Sequence, residues 1–279
     1  MAFRRRGRSF ILKMKKTTVP DILEMKKAGR KIPALAAYSF SMARILDDAG
    51  IPIILVGDSA GMVEAGYGTT LPVTMEQMIY HAGSVARGAR NALVVADMPF
   101  SSYQVSVAEA KRNAARLVKE GNAEAVKLEG GKVRAETVRA IVEMDLPVMG
   151  HIGLTPQSVH RMGGYRVQGR SKTHADILME DARAIEDAGA FSIVLEGIPA
   201  ALAREITASL GIPTIGIGAG PDCDGQVLVA NDMLGLDSGL KPPKFVKRYA
   251  DLRAVITKAA AEFMREVEQG EFPDREHSY

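Results

Sequence analysis

A short apolar run that breaks off at a polar residue recurs along this chain, and no other feature constrains its fold as much. IPIILVGDSAG (51–61) breaks at Asp58, and ALVVADMP (92–99) at Asp97. AEAVKLEGG (123–131) breaks at Lys127 and Glu129, LPVMGHIG (146–153) at His151, and FSIVLEGIP (191–199) at Glu196. IPTIGIGAG (212–220) breaks into glycines. Uninterrupted apolar runs of this length between turn residues suit strands buried on both faces, as in a parallel sheet. A charge has no place inside such a core, so the charged residues belong at the strand ends.

Helical patterns fill the gaps. Strands are expected at 32–38, 51–56, 92–96, 123–128, 147–150, 192–195 and 213–217, with a weak last strand at 234–236. Helices are expected at 41–49, 74–87, 107–119, 135–144, 173–188, 200–210, 224–232 and 249–268. A short leading helix at 19–28 carries Pro20 in its first turn, where proline is tolerated. Two long glycine-rich connections, 57–72 and 155–171, interrupt the alternation. Strand–helix alternation without a linker indicates a parallel sheet. A closed (β/α)8 TIM barrel fits best, and 279 residues suit a fold of about 250. A doubly wound open sheet is the alternative. A barrel gathers every strand's C-terminal end on one face, where such enzymes keep their chemistry. It would bring together six charged residues that the sequence scatters.

The chain is 47% hydrophobic and 25% charged, which permits a large core and argues against disorder. The net charge of +3 is concentrated in residues 1–16, where Arg4, Arg5, Arg6, Arg8, Lys13, Lys15 and Lys16 cluster. The near-balanced remainder gives no case for nucleic-acid binding. Residues 1–16 are read as a basic, disordered extension and 17–279 as one barrel domain. An initiator at Met14 and a transit peptide are the other readings of the extension. The single Cys223 excludes an internal disulfide and fits a reducing, cytoplasmic setting. No apolar run approaches the roughly 18 residues of a membrane span.

Taken alone, Asp58 reads as a turn acid or helix cap. Asp58, Asp97 and Glu129 at equivalent strand ends read better as a hard-cation site. Oxygen ligands without cysteine favour Mg²⁺ over Zn²⁺, with some acids bound directly and others through water. Lys127 and Glu129 are two residues apart on a strand and face the same way. Lys127 suits a grip on a substrate carboxylate, or a salt bridge. His151 is either a satisfied polar residue or part of the site. Glu196, at the end of an apolar strand, suits a general base or a structural ion pair. Gly216, Gly218 and Gly220 either expose backbone N–H groups to an anion or mark tight packing. His81 has no evident partner, and Cys223 reads as inert.

The segments LVGDSAGM (55–62), TTLPVTMEQM (69–78), ADMPF (96–100), VKLEGG (126–131), GHIGLTPQSV (150–159), GGYRVQGR (163–170), VLEGIP (194–199), IGIGAGPDCDGQVLV (215–229) and EHSY (276–279) together resemble the ketopantoate hydroxymethyltransferase family. The resemblance runs from about Lys15 to the C-terminus. It implies a (β/α)8 barrel, one Mg²⁺ per subunit and homo-oligomers, often decamers. The implied reaction moves a one-carbon unit from 5,10-methylenetetrahydrofolate to 3-methyl-2-oxobutanoate in pantothenate and coenzyme A synthesis. By motif, Asp58, Asp97 and Glu129 would be the metal acids. Asp58, Ser59, Asp97 and Lys127 would contact the keto acid, and Glu196 would accept the proton. Ser39 departs from the family's usual aspartate after the tyrosine, which bears on local packing rather than on the reaction. The competing expectations are another Mg²⁺–enolate barrel, of the phosphoenolpyruvate mutase/isocitrate lyase type, and a non-enzymatic scaffold.

Overall fold

Alternation along the strands divides the core in two. The structure, a computed structural model, describes residues 15–236 and 242–279. Its strands are β1 (Ile32–Ala36), β2 (Ile53–Val56), β3 (Leu93–Asp97), β4 (Ala125–Glu129), β5 (Val148–Gly153), β6 (Ser192–Glu196), β7 (Thr214–Ile217) and β8 (Gly225–Val229). All pairings are parallel, and the order β1 to β8 closes on itself. Ile53, Leu55, Leu93, Val95, Ala125, Met149, Val194 and Val227 belong to the cluster inside the barrel. Their sequence neighbours Ile54, Val94, Val126, Val148, Ile193 and Leu195 pack in the cluster under the helices. Each fully buried aliphatic side chain contributes about 1.5–3 kcal/mol, so these two layers dominate the stability of the fold.

The surrounding helices are α1 (Val19–Lys27), α2 (Phe40–Asp48), α3 (Ala60–Val63), α4 (Met75–Gly88), α5 (Val107–Lys119), α6 (Ala135–Val142), α7 (Val159–Met162), α8 (Lys172–Asp187), α9 (Ala200–Ser209), α10 (Ala230–Leu234) and α11 (Leu252–Glu268). Local chemistry sets several of their starts. Thr74 Oγ1 accepts from Gln77 N at 3.2 Å and Gln77 Oε1 accepts from Thr74 N at 2.9 Å, a reciprocal cap on α4. Ser39 caps α2 by accepting from Met42 N at 3.4 Å. That is a capping task an aspartate performs equally well, so the departure at Ser39 is absorbed locally.

The structure corrects the end of the barrel. The segment 224–232, expected as a helix, contains β8 followed by α10, and the expected strand 234–236 begins at the last residue of α10. Acids at both ends of DCDGQVLVAND imitate helix punctuation, but Val227, Leu228 and Val229 favour a strand. Pairing decides the matter: β8 lies along β1 from Ile32↔Gly225 to Ala36↔Val229 and closes the sheet. Only glycine fits at its start, because a Cβ on Gly225 would lie 2.2 Å from the Ile32 carbonyl oxygen. The two long connections are not bare loops. The first contains α3; the second contains a 3₁₀ turn, Pro156–Ser158, and α7.

Helix α11 has the expected amphipathic pattern but no buried residue. Its Val255, Ile256, Phe263 and Met264 are exposed. Most of the basic extension lies outside the described residues. At its edge, Lys16 reaches Glu124 at 2.6 Å and the Ala92 carbonyl at 2.6 Å. Among the described residues, no helix is long and apolar enough to cross a membrane.

Candidate active site

The inward-facing rows of β3 to β6 change from apolar to charged at or near their last positions. Leu93 and Val95 lead to Asp97, Ala125 to Lys127 and Glu129, Met149 to His151, and Val194 to Glu196. Register aligns these ends side by side: Asp97 with Lys127, Glu129 with His151, and Gly153 with Glu196. Strand β2 contributes differently. Its next inward position is Gly57, where a Cβ would lie 2.6 Å from Ser59 Oγ and 3.6 Å from Asp97 Oδ2. The missing side chain lets the backbone turn inward, so Asp58 N–H donates to Asp97 Oδ2 at 3.1 Å.

Asp58, Ser59, Asp97, Lys127, Glu129, His151 and Glu196 all line one cavity of about 950 Å³ at this face. The contacts run around the ring. Lys127 Nζ lies 3.1 Å from Asp97 Oδ2 and 3.3 Å from His151 Nδ1. His151 Nδ1 lies 3.5 Å from Glu129 Oε1, and its Nε2 lies 3.2 Å from Glu196 Oε2. The latter is an ion-pair distance without hydrogen-bond alignment, and Nε2 has no hydrogen-bond partner. Ser59 Oγ is 2.8 Å from the Tyr38 hydroxyl. His81, without an evident partner in sequence, places Nδ1 2.9 Å from the Tyr38 carbonyl and so steadies that tyrosine from behind.

Burial concentrates these charges. Burial, then the Asp97 and Glu129 carboxylates, push the Asp58 carboxyl up to about 8. Burial also raises Asp97, against the opposing pull of Lys127. Burial alone would lower Lys127, but Asp97, Glu129 and Asp58 outweigh it, so its net shift is upward and it stays an ammonium. For His151, burial and Lys127 oppose the charged ring, yet Glu129 and Glu196 prevail and raise it to about 9.

The donor set suits a hard divalent cation. Asp97 Oδ1 is buried without a hydrogen-bond partner, an expensive state for a carboxylate oxygen unless a ligand satisfies it. Among the described residues, no three His, Cys, Asp or Glu side chains converge closely enough to hold a metal together. The fit to a cation therefore rests on the unpartnered Asp97 Oδ1, and Mg²⁺ is an ion that can take one or two protein carboxylates directly and keep several waters.

Sequence reasoning gave no role to Gln157 or Tyr103. Gln157 Nε2 donates to Asp58 Oδ2 at 2.8 Å, and Tyr103 O–H donates to Gln157 Oε1 at 2.6 Å. Both are uncharged and lie on connections, so no strand pattern flags them. Thr70, also unflagged, lines the cavity with a buried hydroxyl that has no partner. The glycines in and just beyond β7 all mark tight packing: a Cβ would meet Cys223 Sγ at 2.9 Å on Gly216, Phe245 Cδ1 at 2.9 Å on Gly218 and Ala200 Cβ at 2.4 Å on Gly220. Gly218 and Gly220 also line the cavity. Cys223 is buried, and burial pushes its thiol up, away from reactivity.

The sequence pattern of ketopantoate hydroxymethyltransferase matches residues 16–275. The chain belongs to the ketopantoate hydroxymethyltransferase family. Proteins named 3-methyl-2-oxobutanoate hydroxymethyltransferase resemble it along almost their whole length. That of Geobacter metallireducens is 59% identical over 265 residues, covering 95% of this chain and 99% of the relative. That of Pelobacter propionicus is 60% identical, covering 95% and 98%. Among solved structures, 2,3-dimethylmalate lyase, a member of the PEP mutase/isocitrate lyase superfamily, superposes with a TM-score of 0.58 at 16% identity over 94% of this chain and 92% of its own. Phosphonopyruvate hydrolase in complex with oxalate and Mg²⁺ gives 0.57 at 13% identity, over 94% and 93%. These two share the fold. Within the family frame, every strand-end residue singled out from the sequence falls on the single cavity described above.

Proposed function

We propose that this chain transfers a hydroxymethyl group from 5,10-methylenetetrahydrofolate to 3-methyl-2-oxobutanoate, giving ketopantoate and tetrahydrofolate. The observation that carries the reading is the ring itself, with its unpartnered Asp97 oxygen, its buried ammonium and its lone acid on the far side. Asp97 would hold Mg²⁺ through Oδ1, with Asp58 and Glu129 direct or through water. When bound, Mg²⁺ supplies Lewis-acid stabilisation of the enolate. Lys127 pairs with the keto-acid carboxylate, and Ser59, oriented by Tyr38, donates to the same group. Glu196 accepts the C3 proton. Its neighbour His151 sets a ring nitrogen 3.2 Å from that carboxylate. The enolate carbon then forms its bond to the folate methylene carbon, both carbon–nitrogen bonds from that carbon to the folate break, and water provides the hydroxyl on it. The C3 proton and one proton of water end on the two freed nitrogens of tetrahydrofolate.

A small keto acid fills only part of a 950 Å³ cavity. The remainder is lined by Tyr165, Arg166, Lys244 and Phe245. Aromatic faces suit a pterin ring, and the cations suit the glutamate carboxylates of a folate. The homologous enzymes' shared name supports the keto acid, and the Mg²⁺ of the phosphonopyruvate hydrolase complex supports the metal. The exposed apolar face of α11 supports a homo-oligomer, ten copies being what the family resemblance implies.

The test is one assay containing 3-methyl-2-oxobutanoate, methylenetetrahydrofolate and Mg²⁺, read as ketopantoate, with parallel arms omitting folate or metal. Product only in the complete mixture is expected. No product there defeats the proposal, and turnover of the keto acid without folate favours a lyase or mutase instead.

A further inference from the structure

Gln157 is tied to three neighbouring strand ends by its side-chain amide and its backbone N–H together. Its Nε2 donates to Asp58 Oδ2, just beyond β2, at 2.8 Å, and to the carbonyl of Met98, just beyond β3, at 3.0 Å. Its Oε1 accepts from Tyr103 O–H at 2.6 Å and from Gln104 Nε2 at 2.9 Å. Its backbone N–H donates to Glu129 Oε2, at the end of β4, at 3.0 Å. The amide can sit only one way round. The Met98 carbonyl can only accept, so the nitrogen must face it, and Asp58 shares that side. Tyr103 supports the same orientation: its hydroxyl accepts from Glu129 N–H at 3.0 Å, and Oε1 at 2.6 Å is a closer acceptor for its proton than the Glu129 carbonyl at 3.3 Å.

We infer that Gln157 is a positioning residue that sets which carboxylate oxygens face a divalent cation. One oxygen of Asp58 and one of Glu129 are tied down by the same residue, each by a directed donor. Their second oxygens are thereby the ones left on the cavity side with Asp97 Oδ1: Asp58 Oδ1, and Glu129 Oε1, which lies 3.5 Å from His151 Nδ1. Without those donors, two buried carboxylates next to a third would rotate to reduce their mutual repulsion, and the cation would meet a different set of oxygens. The residue touches neither substrate nor reacting atoms, and it acts through the two acids. This inference rests on the metal-dependent reading proposed above.

The experiment measures Mn²⁺ affinity by the electron paramagnetic resonance signal of the free ion. It compares the wild type with Gln157→Ala and Gln157→Glu, and records melting temperatures without metal. Gln157→Ala removes one hydrogen bond to a charged group and should weaken Mn²⁺ binding about tenfold. Gln157→Glu keeps the size and the Tyr103 contact but turns an acceptor towards Asp58, and should weaken it further. The lost turnover should return at high metal concentration, which a general packing defect would not allow. Gln104→Ala removes a partner of the amide but touches neither acid, and should change Mn²⁺ affinity less than about twofold. If the Gln157 variants do not fold, Tyr103→Phe releases Oε1 while retaining the amide, and a fewfold loss of Mn²⁺ affinity is expected. Unchanged Mn²⁺ affinity in the folded Gln157 variants, or in Tyr103→Phe, overturns the inference and leaves the proposed function standing. A wild type that binds no Mn²⁺ overturns the metal reading and this inference with it.

Discussion

The buried carboxyl at Asp58 makes metal binding a proton-releasing event, and its size can be worked out. In the metal-free protein, burial together with Asp97 and Glu129 holds this group near 8. At pH 7 most molecules therefore carry a proton there, and a divalent cation must displace it. Calorimetry of Mg²⁺ binding at pH 7, in two buffers of different ionisation enthalpy, should report release of close to one proton per ion. The apparent affinity should rise nearly tenfold from pH 6 to 7 and about fivefold from 7 to 8, with only about a further twofold left above pH 8. Stability without metal should run the other way. A carboxyl raised in the folded state stabilises it at pH values below the unfolded pKa, and that contribution is lost as pH rises to about 8. His151, raised to about 9, adds a loss of the same sign between its unfolded value and 9. Together these should cost metal-free protein on the order of 7 kcal/mol between pH 5 and 9, read as a falling denaturant midpoint that Mg²⁺ restores. Asp58→Asn should abolish the slope of Mn²⁺ affinity below pH 8. A wild-type Mg²⁺ affinity that is flat between pH 6 and 8 would refute the reasoning.

Further outcomes follow from single contacts. Glu196→Gln should slow exchange of the C3 proton into D₂O by about a thousandfold while keto-acid binding survives; retained exchange removes Glu196 as the base. Lys127→Ala leaves Asp97 without its buried counter-charge. It should lower stability by about 3 kcal/mol and raise the keto-acid KM, and a melting temperature equal to wild type would show that the pair is not structurally coupled. Gly57→Ala forces a Cβ to within 2.6 Å of Ser59 Oγ, so turnover should fall more than tenfold with little change in global stability. An unimpaired variant would mean that the turn relaxes freely.

The barrel and most of its mouth were legible in the sequence because both follow from one pattern. An apolar strand that ends in a charge can only be buried along its length and open at its end, and a parallel barrel collects such ends. Asp58, Asp97, Lys127, Glu129, His151 and Glu196 were therefore visible without coordinates. β8 was misread because its five residues carry acids on either side and a glycine at the start, and closure by pairing with β1 is information no local window contains. Gln157 and Tyr103 were illegible for a related reason. Their importance lies in hydrogen bonds to residues between 26 and 99 positions away, and neutral polar residues on connections carry no periodic signal.

The composition of the ring also explains why so costly a structure persists. Asp58, Asp97, Glu129 and Glu196 supply four carboxyls against two cationic groups, Lys127 and His151. Fully ionised, the ring carries an excess of two negative charges in a site where most of these side chains are almost wholly buried. Uncompensated buried charge is among the most destabilising features a fold can hold. The metal-free protein relieves part of it by keeping a proton near Asp58 and a charged imidazole at His151. A divalent cation neutralises the excess and satisfies the orphaned Asp97 oxygen at once. The arrangement is thus poor as a structural salt-bridge network and well matched to a site that gains its stability from what it binds.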